Sequence, residues 1–222
     1  MTRINPQWLA ALALTAAAFA ASAYLYPSLP DVVPTHWNIK GQVDGHGPKA
    51  VAAWTMPVMM LAMLLVFRVL PALSPKNFEL DTFQTTYLFV VLATTGLFAY
   101  MHGVILAATW QQVQGNPRFD IGRAMLGGVF LFFALIGNVM GKVRRNFYVG
   151  IKLPWTLAND RVWNDTHRLA AWTWVGGGLL GLVLVFSGLN VLWAFGVLTA
   201  ATVVPCVYSF LHYKRLEREG AL

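Results

Sequence analysis

The chain has 222 residues, of which 57% are hydrophobic and only 11% charged, with a formal net charge of +7. A soluble domain carries roughly 25% charged residues, so too few charges remain here to solvate a globular surface. Sixteen Lys and Arg against nine Asp and Glu could mark a nucleic-acid binder. In so apolar a chain the basic excess reads instead as membrane topology, because cytoplasmic loops collect Lys and Arg, and no direct nucleic-acid contact is expected.

Charged residues are absent from 4–30, 50–67, 82–117, 124–141 and 169–213. A helix needs about 20 apolar residues to cross the hydrocarbon. The first four runs hold one helix each, and the last is long enough for two. Ser187-Gly188-Leu189-Asn190 supplies turn chemistry for the reversal between them. The predicted spans are 7–26, 51–70, 84–110, 122–141, 169–187 and 190–212. The expected fold class is therefore all-α, a polytopic bundle of six transmembrane helices. Strand alternation is missing, which argues against a barrel. The chain divides into an N-terminal part, 1–70, with two helices and an intervening loop, and a four-helix membrane domain, 71–222.

With the N-terminus inside, twelve basic residues are cytoplasmic: Arg3, Arg68, Lys76, Lys142, Arg144, Arg145, Lys152, Arg161, Arg168, Lys214, Arg215 and Arg218. Four fall on the other side: Lys40, Lys49, Arg118 and Arg123. Both termini are thus expected in the cytoplasm. Basic residues near the headgroups also suit an anionic inner leaflet. The first run could instead be a signal peptide cleaved after Ala21-Ser22-Ala23. Its 19 apolar residues, Trp8 to Tyr26, exceed the usual h-region and favour an uncleaved helix. The single Cys206 cannot form an intrachain disulfide or a thiolate cluster, and it reads as a small packing residue.

Two loops carry the remaining information. The first, 27–50, lies outside on this count. Pro27, Pro30 and Pro34 hold it extended, and Lys40-Gly41 and Asp44-Gly45 are turn signals. In an extended Thr35–Asn38 segment, His36 and Asn38 share one face and Trp37 takes the other. His36, Asp44 and His46 are too few and too loosely spaced for a zinc site, so neither a metal nor another cofactor is expected. The loop either fixes itself against the helix ends by hydrogen bonds or recognises an external ligand.

The second loop, 142–168, is cytoplasmic on the same count. Basic and apolar residues alternate in its first half, as in a segment lying on a membrane surface. Pro154 ends that segment, and Thr156 is placed to cap a helix running from about Leu157 into the fifth span. On that helix Trp163, His167, Ala170 and Trp174 form one face, and Arg161 and Asp165 are spaced to pair. The aromatic stripe is either an interfacial anchor or a partner-docking face.

No intramembrane Asp, Glu, Lys or Arg lies at the centre of a span, as an ion-coupled transporter would require. A small-molecule transporter or export component is therefore the second reading. Thr166 and His167 point about 100° apart on a helix and cannot form a catalytic dyad, so no enzyme is expected.

The string Asn138-Val-Met-Gly141-Lys142, Asn146-Phe-Tyr-Val-Gly150-Ile-Lys-Leu-Pro154-Trp155-Thr156, Val162-Trp163 and Thr166-His167-Arg168 resembles the signature of the SdpI family. The first loop, with Leu29-Pro30, Pro34, His36-Trp37-Asn38, Gly41, Asp44-Gly45 and Lys49, is similar to a domain of unknown function often found N-terminal in such proteins. The resemblance implies a multi-pass protein of the bacterial cytoplasmic membrane. It further implies immunity to a secreted, membrane-active peptide toxin outside, and signalling by sequestering a transcriptional repressor protein inside. Where the family commonly has Arg before the Leu-Pro-Trp, this chain has Lys152, which removes a planar bidentate donor.

Overall fold

The computed structural model describes residues 5–38, 42–76, 78–115 and 120–222. Gly41 lies outside the described residues, as do Arg3, Lys40 and Arg118 from the charge count. Among the described residues, six helices are long and apolar enough to cross a membrane, which makes the chain a multi-pass membrane protein. In chain order they are α1 (Pro6–Leu25), α2 (Lys49–Val69), α3 (Gln84–Val113), α4 (Ile121–Met140), α6 (Asp160–Phe186) and α7 (Val191–Arg218), with a five-residue helix α5 (Pro154–Ala158) before α6. Two strands, β1 (Val32–Trp37) and β2 (Val43–Pro48), join α1 to α2.

The elements fall into two compact units. The first runs to Phe67 and includes Val91–Val129. Asn5 accepts a hydrogen bond from Gln7 N–H at 2.9 Å and caps α1, with Pro6 in the first turn. The buried residues of α1, Ala11, Thr15, Ala18 and Ser22, repeat at helical spacing and are all small, which permits close approach between spans. Gly128 on α4 serves the same end, because a Cβ there would collide with the Tyr100 ring of α3.

The first loop is not simply extended. It folds into an antiparallel hairpin pairing Val32 with Pro48, Val33 with Gly47, Pro34 with His46, His36 with Gly45 and Trp37 with Val43. The register slips on either side of His36. Pro34 has no N–H to give the ladder, and proline is confined to edges and irregular pairings. Asp44-Gly45, expected at a turn, lies inside β2. Gly45 is required there, since a Cβ would sit 2.8 Å from His36 Cβ across the pair. The hairpin is seated by Val33, Leu29 and Ala52, with Trp110 of α3 packed against them.

The second unit comprises Arg68–Val90 and Phe130–Leu222. Its α4 and α6 meet through glycine. A Cβ at Gly178 would strike the backbone of Phe130 and Ala134, one at Gly181 the Phe130 ring, and one at Gly137 the Val175 nitrogen. Gly177 faces Ala201 of α7 in the same way, whereas Gly176 meets nothing within 4 Å. The α6–α7 reversal falls at the expected Ser187–Asn190 turn. Gly188 adopts φ +81°, and Asn190 caps α7 by accepting from Leu192 N–H at 3.0 Å.

Three expectations for the second loop are corrected. The chain does not run as one helix from Leu157: Asn159 is extended, and its side chain accepts from Arg161 and Val162 N–H to cap α6. Arg161 does not pair with Asp165, whose carboxylate lies 3.0 Å from His212 on α7. The segment before Pro154 keeps Lys142, Arg144 and Lys152 exposed, but its alternate residues pack into the protein rather than against lipid. It turns inward, with Val143, Asn146 and Ile151 buried.

Candidate functional site

Residues 143–167 build a clasp in the second unit. At its centre Asn146 is wholly buried. Its amide nitrogen donates to the carbonyls of Arg144 at 2.7 Å and Val149 at 3.0 Å. Its amide oxygen accepts from the N–H groups of Tyr148 and Val149, both at 2.7 Å. That uses the side chain's two donors and two lone pairs. No other side chain of this size holds a tight turn closed from inside in this way, since aspartate lacks the donors and glutamine is one methylene too long.

The chain then reaches Gly150, at φ +115°, where a Cβ would run into His167 Nε2. This close backbone approach lets Ile151 N–H donate to His167 Nε2 at 2.9 Å. The other ring nitrogen, Nδ1, lies 2.7 Å from the Trp163 carbonyl. A carbonyl only accepts, so Nδ1 carries the proton, Nε2 is the acceptor, and the imidazole is neutral. Both nitrogens are committed within the clasp.

Trp163 lies beneath, wholly buried and stacked on His167 with ring centroids 4.0 Å apart. Its indole N–H donates to the Val143 carbonyl at 2.8 Å, tying the end of α4 to the first turn of α6. The anchor and docking readings of this aromatic face both need Trp163 at a surface. The ring is instead core, and the exposed tryptophan of α6 is Trp172, at 76%.

Pro154 begins α5 and Thr156 completes the clasp from it. The Thr156 hydroxyl accepts from Leu153 N–H at 2.9 Å and reaches the Ile151 carbonyl at 2.7 Å. Trp155 donates its indole N–H to Ser209 Oγ at 2.7 Å and packs edge-on against Phe210, joining α5 to α7. Lys152 donates to the Tyr148 carbonyl at 3.0 Å, a contact for which one point donor suffices. Thr166 is wholly buried with no partner for its hydroxyl among the described residues. Gly141 ends α4 at ordinary contact distance from Arg168 and Ala171. Asn138 is exposed on α4 and takes no part in the clasp.

Arg145 was not singled out by the sequence pattern, yet it braces the clasp from the side. It donates to the Leu157 carbonyl at 2.8 Å, and its Nε lies 2.8 Å from Asp160 Oδ1 at an angle outside hydrogen-bond geometry. Its guanidinium also sits 5.1 Å from the Phe78 ring, which packs on Phe147 at 4.3 Å. Nothing local in sequence links Arg145 with Phe78 or Asp160.

The first unit carries the other candidate residues. His36 Nδ1 and Asp44 Oδ1 are 2.5 Å apart on the exposed face of the hairpin. Asn38 and Gln42 close the strand ends: Asn38 N–H donates to the Gln42 carbonyl at 2.9 Å, and Gln42 N–H to Asn38 Oδ1 at 3.1 Å. Trp37 is half-buried, Pro34 buried and Pro30 exposed. Lys49 ties the hairpin to α2, reaching the Leu29 carbonyl at 3.2 Å and Asp31 at 3.1 Å, with Tyr26 below its ammonium. Ser22 and His102, also missed by the pattern, form a buried node: Ser22 donates to the Ala53 carbonyl at 2.5 Å and lies 2.9 Å from His102 Nε2. Since the hydroxyl proton is given to Ala53, His102 Nε2 is the donor to Ser22.

Comparison with known proteins bears on both parts. Residues 142–209 match the SdpI/YfhL protein family, and residues 13–61 match a domain of unknown function, DUF1648. The chain is 28% identical over 205 residues to the immunity protein SdpI of Bacillus subtilis (strain 168), covering 89% of this chain and 91% of that protein. No solved structure matches.

Proposed function

We propose that this chain, a member of the SdpI/YfhL family with a DUF1648 segment near its N-terminus, is an immunity protein that protects a bacterial membrane against a secreted peptide toxin. The observation that carries this reading is the match to an immunity protein along 89% of the chain, which takes in both the hairpin and the clasp. Both termini face the cytoplasm in this scheme, so that the hairpin meets the toxin outside and the clasp lies inside. The twelve-to-four distribution of basic residues supports that orientation. The role is non-catalytic: His167, the one imidazole of the clasp, has both nitrogens occupied. A repressor held at the inner face in the toxin's presence would add signalling to immunity.

The hairpin offers a toxin an exposed His36–Asp44 pair on a scaffold fixed by Lys49. Expression in a toxin-sensitive strain tests the proposal, with a peptide toxin encoded by the same host as the challenge. The wild type should restore growth, and His36→Ala with Asp44→Ala should lose protection at unchanged membrane abundance. Growth no better than an empty vector would overturn the immunity reading. Full protection by the double variant would remove the hairpin from it.

A further inference from the structure

The outward face of α6 carries a pattern that neither the clasp nor the hairpin uses. Arg161, Arg168 and Trp172 are separated by seven and four residues, so at 100° per residue they lie within about 20° of one direction. All three are exposed. They point away from the buried face that carries Trp163, His167 and Ala170. The same stripe continues through Leu179, Val183 and Phe186, which are 51%, 64% and 61% exposed.

The guanidiniums on this stripe lack the close ion-pair partners that their neighbours have. Arg145 is matched by Asp160, Lys214 by Glu217 and Arg215 by Glu219. The guanidinium groups of Arg161 and Arg168 make no hydrogen bond or ion pair among the described residues. Two carboxylates lie near them, and both are already engaged. Asp165 is held by His212 at 3.0 Å. Glu219, within electrostatic reach of Arg161, is bonded to Arg215 at 2.8 Å.

Depth fits the same picture. From Arg168 to Phe186 a helix rises about 27 Å, close to the roughly 30 Å hydrocarbon core. Arg168 therefore stands at the boundary, and Arg161 about 10 Å further out, among headgroups. Trp172 sits one turn below Arg168, where amphipathic rings concentrate. A ligand matching two unpaired guanidiniums above an exposed apolar stripe needs an anionic head and acyl chains together.

We infer that Arg161, Arg168 and Trp172 form a binding site for an anionic phospholipid, with the headgroup phosphate between the two arginines and a chain along the α6 stripe. Guanidinium suits phosphate because its planar fork can donate two parallel hydrogen bonds. The site does not depend on the immunity reading.

The test uses the full chain in detergent, titrated with phosphatidylglycerol, phosphatidylcholine or inorganic phosphate and read by native mass spectrometry. Phosphatidylglycerol should bind, and neither phosphatidylcholine nor inorganic phosphate should displace it. The variant R161Q/R168Q should bind about 30-fold more weakly, since each basic residue at an anionic surface contributes roughly a factor of five. R161K/R168K should retain most of the affinity, and R123Q all of it. Equal binding by folded R161Q/R168Q would overturn the proposal. So would equal binding of phosphatidylcholine, which marks an apolar annulus alone, or displacement by inorganic phosphate, which marks a free-anion site. Should R161Q/R168Q not fold, salt titration of the wild type decides: affinity independent of ionic strength rejects the arginine contact.

Discussion

Replacing Trp163 with alanine removes the largest fully buried side chain of the clasp and a donor that fastens α6 to the end of α4. The ring is wholly buried and stacked on His167, so truncation leaves a cavity. Trp-to-Ala changes in cores cost about 3–5 kcal/mol. The Val143 carbonyl, now accepting the indole N–H at 2.8 Å, loses its partner, and an unsatisfied buried acceptor adds about 1–3 kcal/mol. The two losses share one site and do not sum fully. A total of about 4–6 kcal/mol is expected, a large part of the stability of an ordinary domain. Trp163→Phe separates the components, because it keeps most of the ring and loses only the donor. It should cost about 1–3 kcal/mol. Equilibrium unfolding in mixed micelles measures both variants against the wild type. A cost below about 1 kcal/mol for Trp163→Ala would place the indole at the lipid surface, where exposed substitutions stay within about half a kcal/mol, and would refute the clasp.

Two further changes probe the same physics elsewhere. Gly150→Ala places a Cβ against His167 Nε2 at φ +115°; with left-handed strain of about 1–2 kcal/mol and the Ile151–His167 bond displaced, the loss in micelle unfolding should be about 2–3 kcal/mol. Ser22→Ala leaves both the Ala53 carbonyl and His102 Nε2 without their present partner, and buried hydrogen bonds between spans are worth about 0.6–2 kcal/mol, so a modest fall in melting temperature with normal membrane insertion is expected.

The spans were legible because they depend on composition over about 20 residues, and no tertiary partner can overrule a charge-free run of that length. The α6–α7 reversal was legible for a local reason, since Gly188 and Asn190 act on their own backbone. The hairpin was not. Its strands are short, β2 reads Val-Asp-Gly-His-Gly-Pro, and that string looks like a succession of turns. What makes it a strand is pairing with β1 and the seat formed by Leu29, Val33 and Ala52, none of which is visible in β2 itself.

The clasp was misread for the opposite reason. The segment of Asn146 reads as one lying on a membrane surface, Thr156 as a helix cap and His167 as part of an outward aromatic face. All three are buried, because each is satisfied by backbone groups: Asn146 by its own turn, Thr156 by Leu153 and Ile151, His167 by Ile151 and Trp163. Burying such groups is tolerable only when every donor and acceptor is matched, and sequence spacing does not reveal which backbone N–H will face which side chain sixteen residues away. The consequence reaches function. Residues that spend their hydrogen bonds inside the clasp have none left for a partner, so a protein docking at this end must read what the clasp displays outward. Lys142, Arg144, Phe147, Lys152, Asp160 and Arg161 are among the exposed side chains there, four of them cationic. A partner docking on this surface would meet a mainly basic face, while the buried signature residues hold that face in shape.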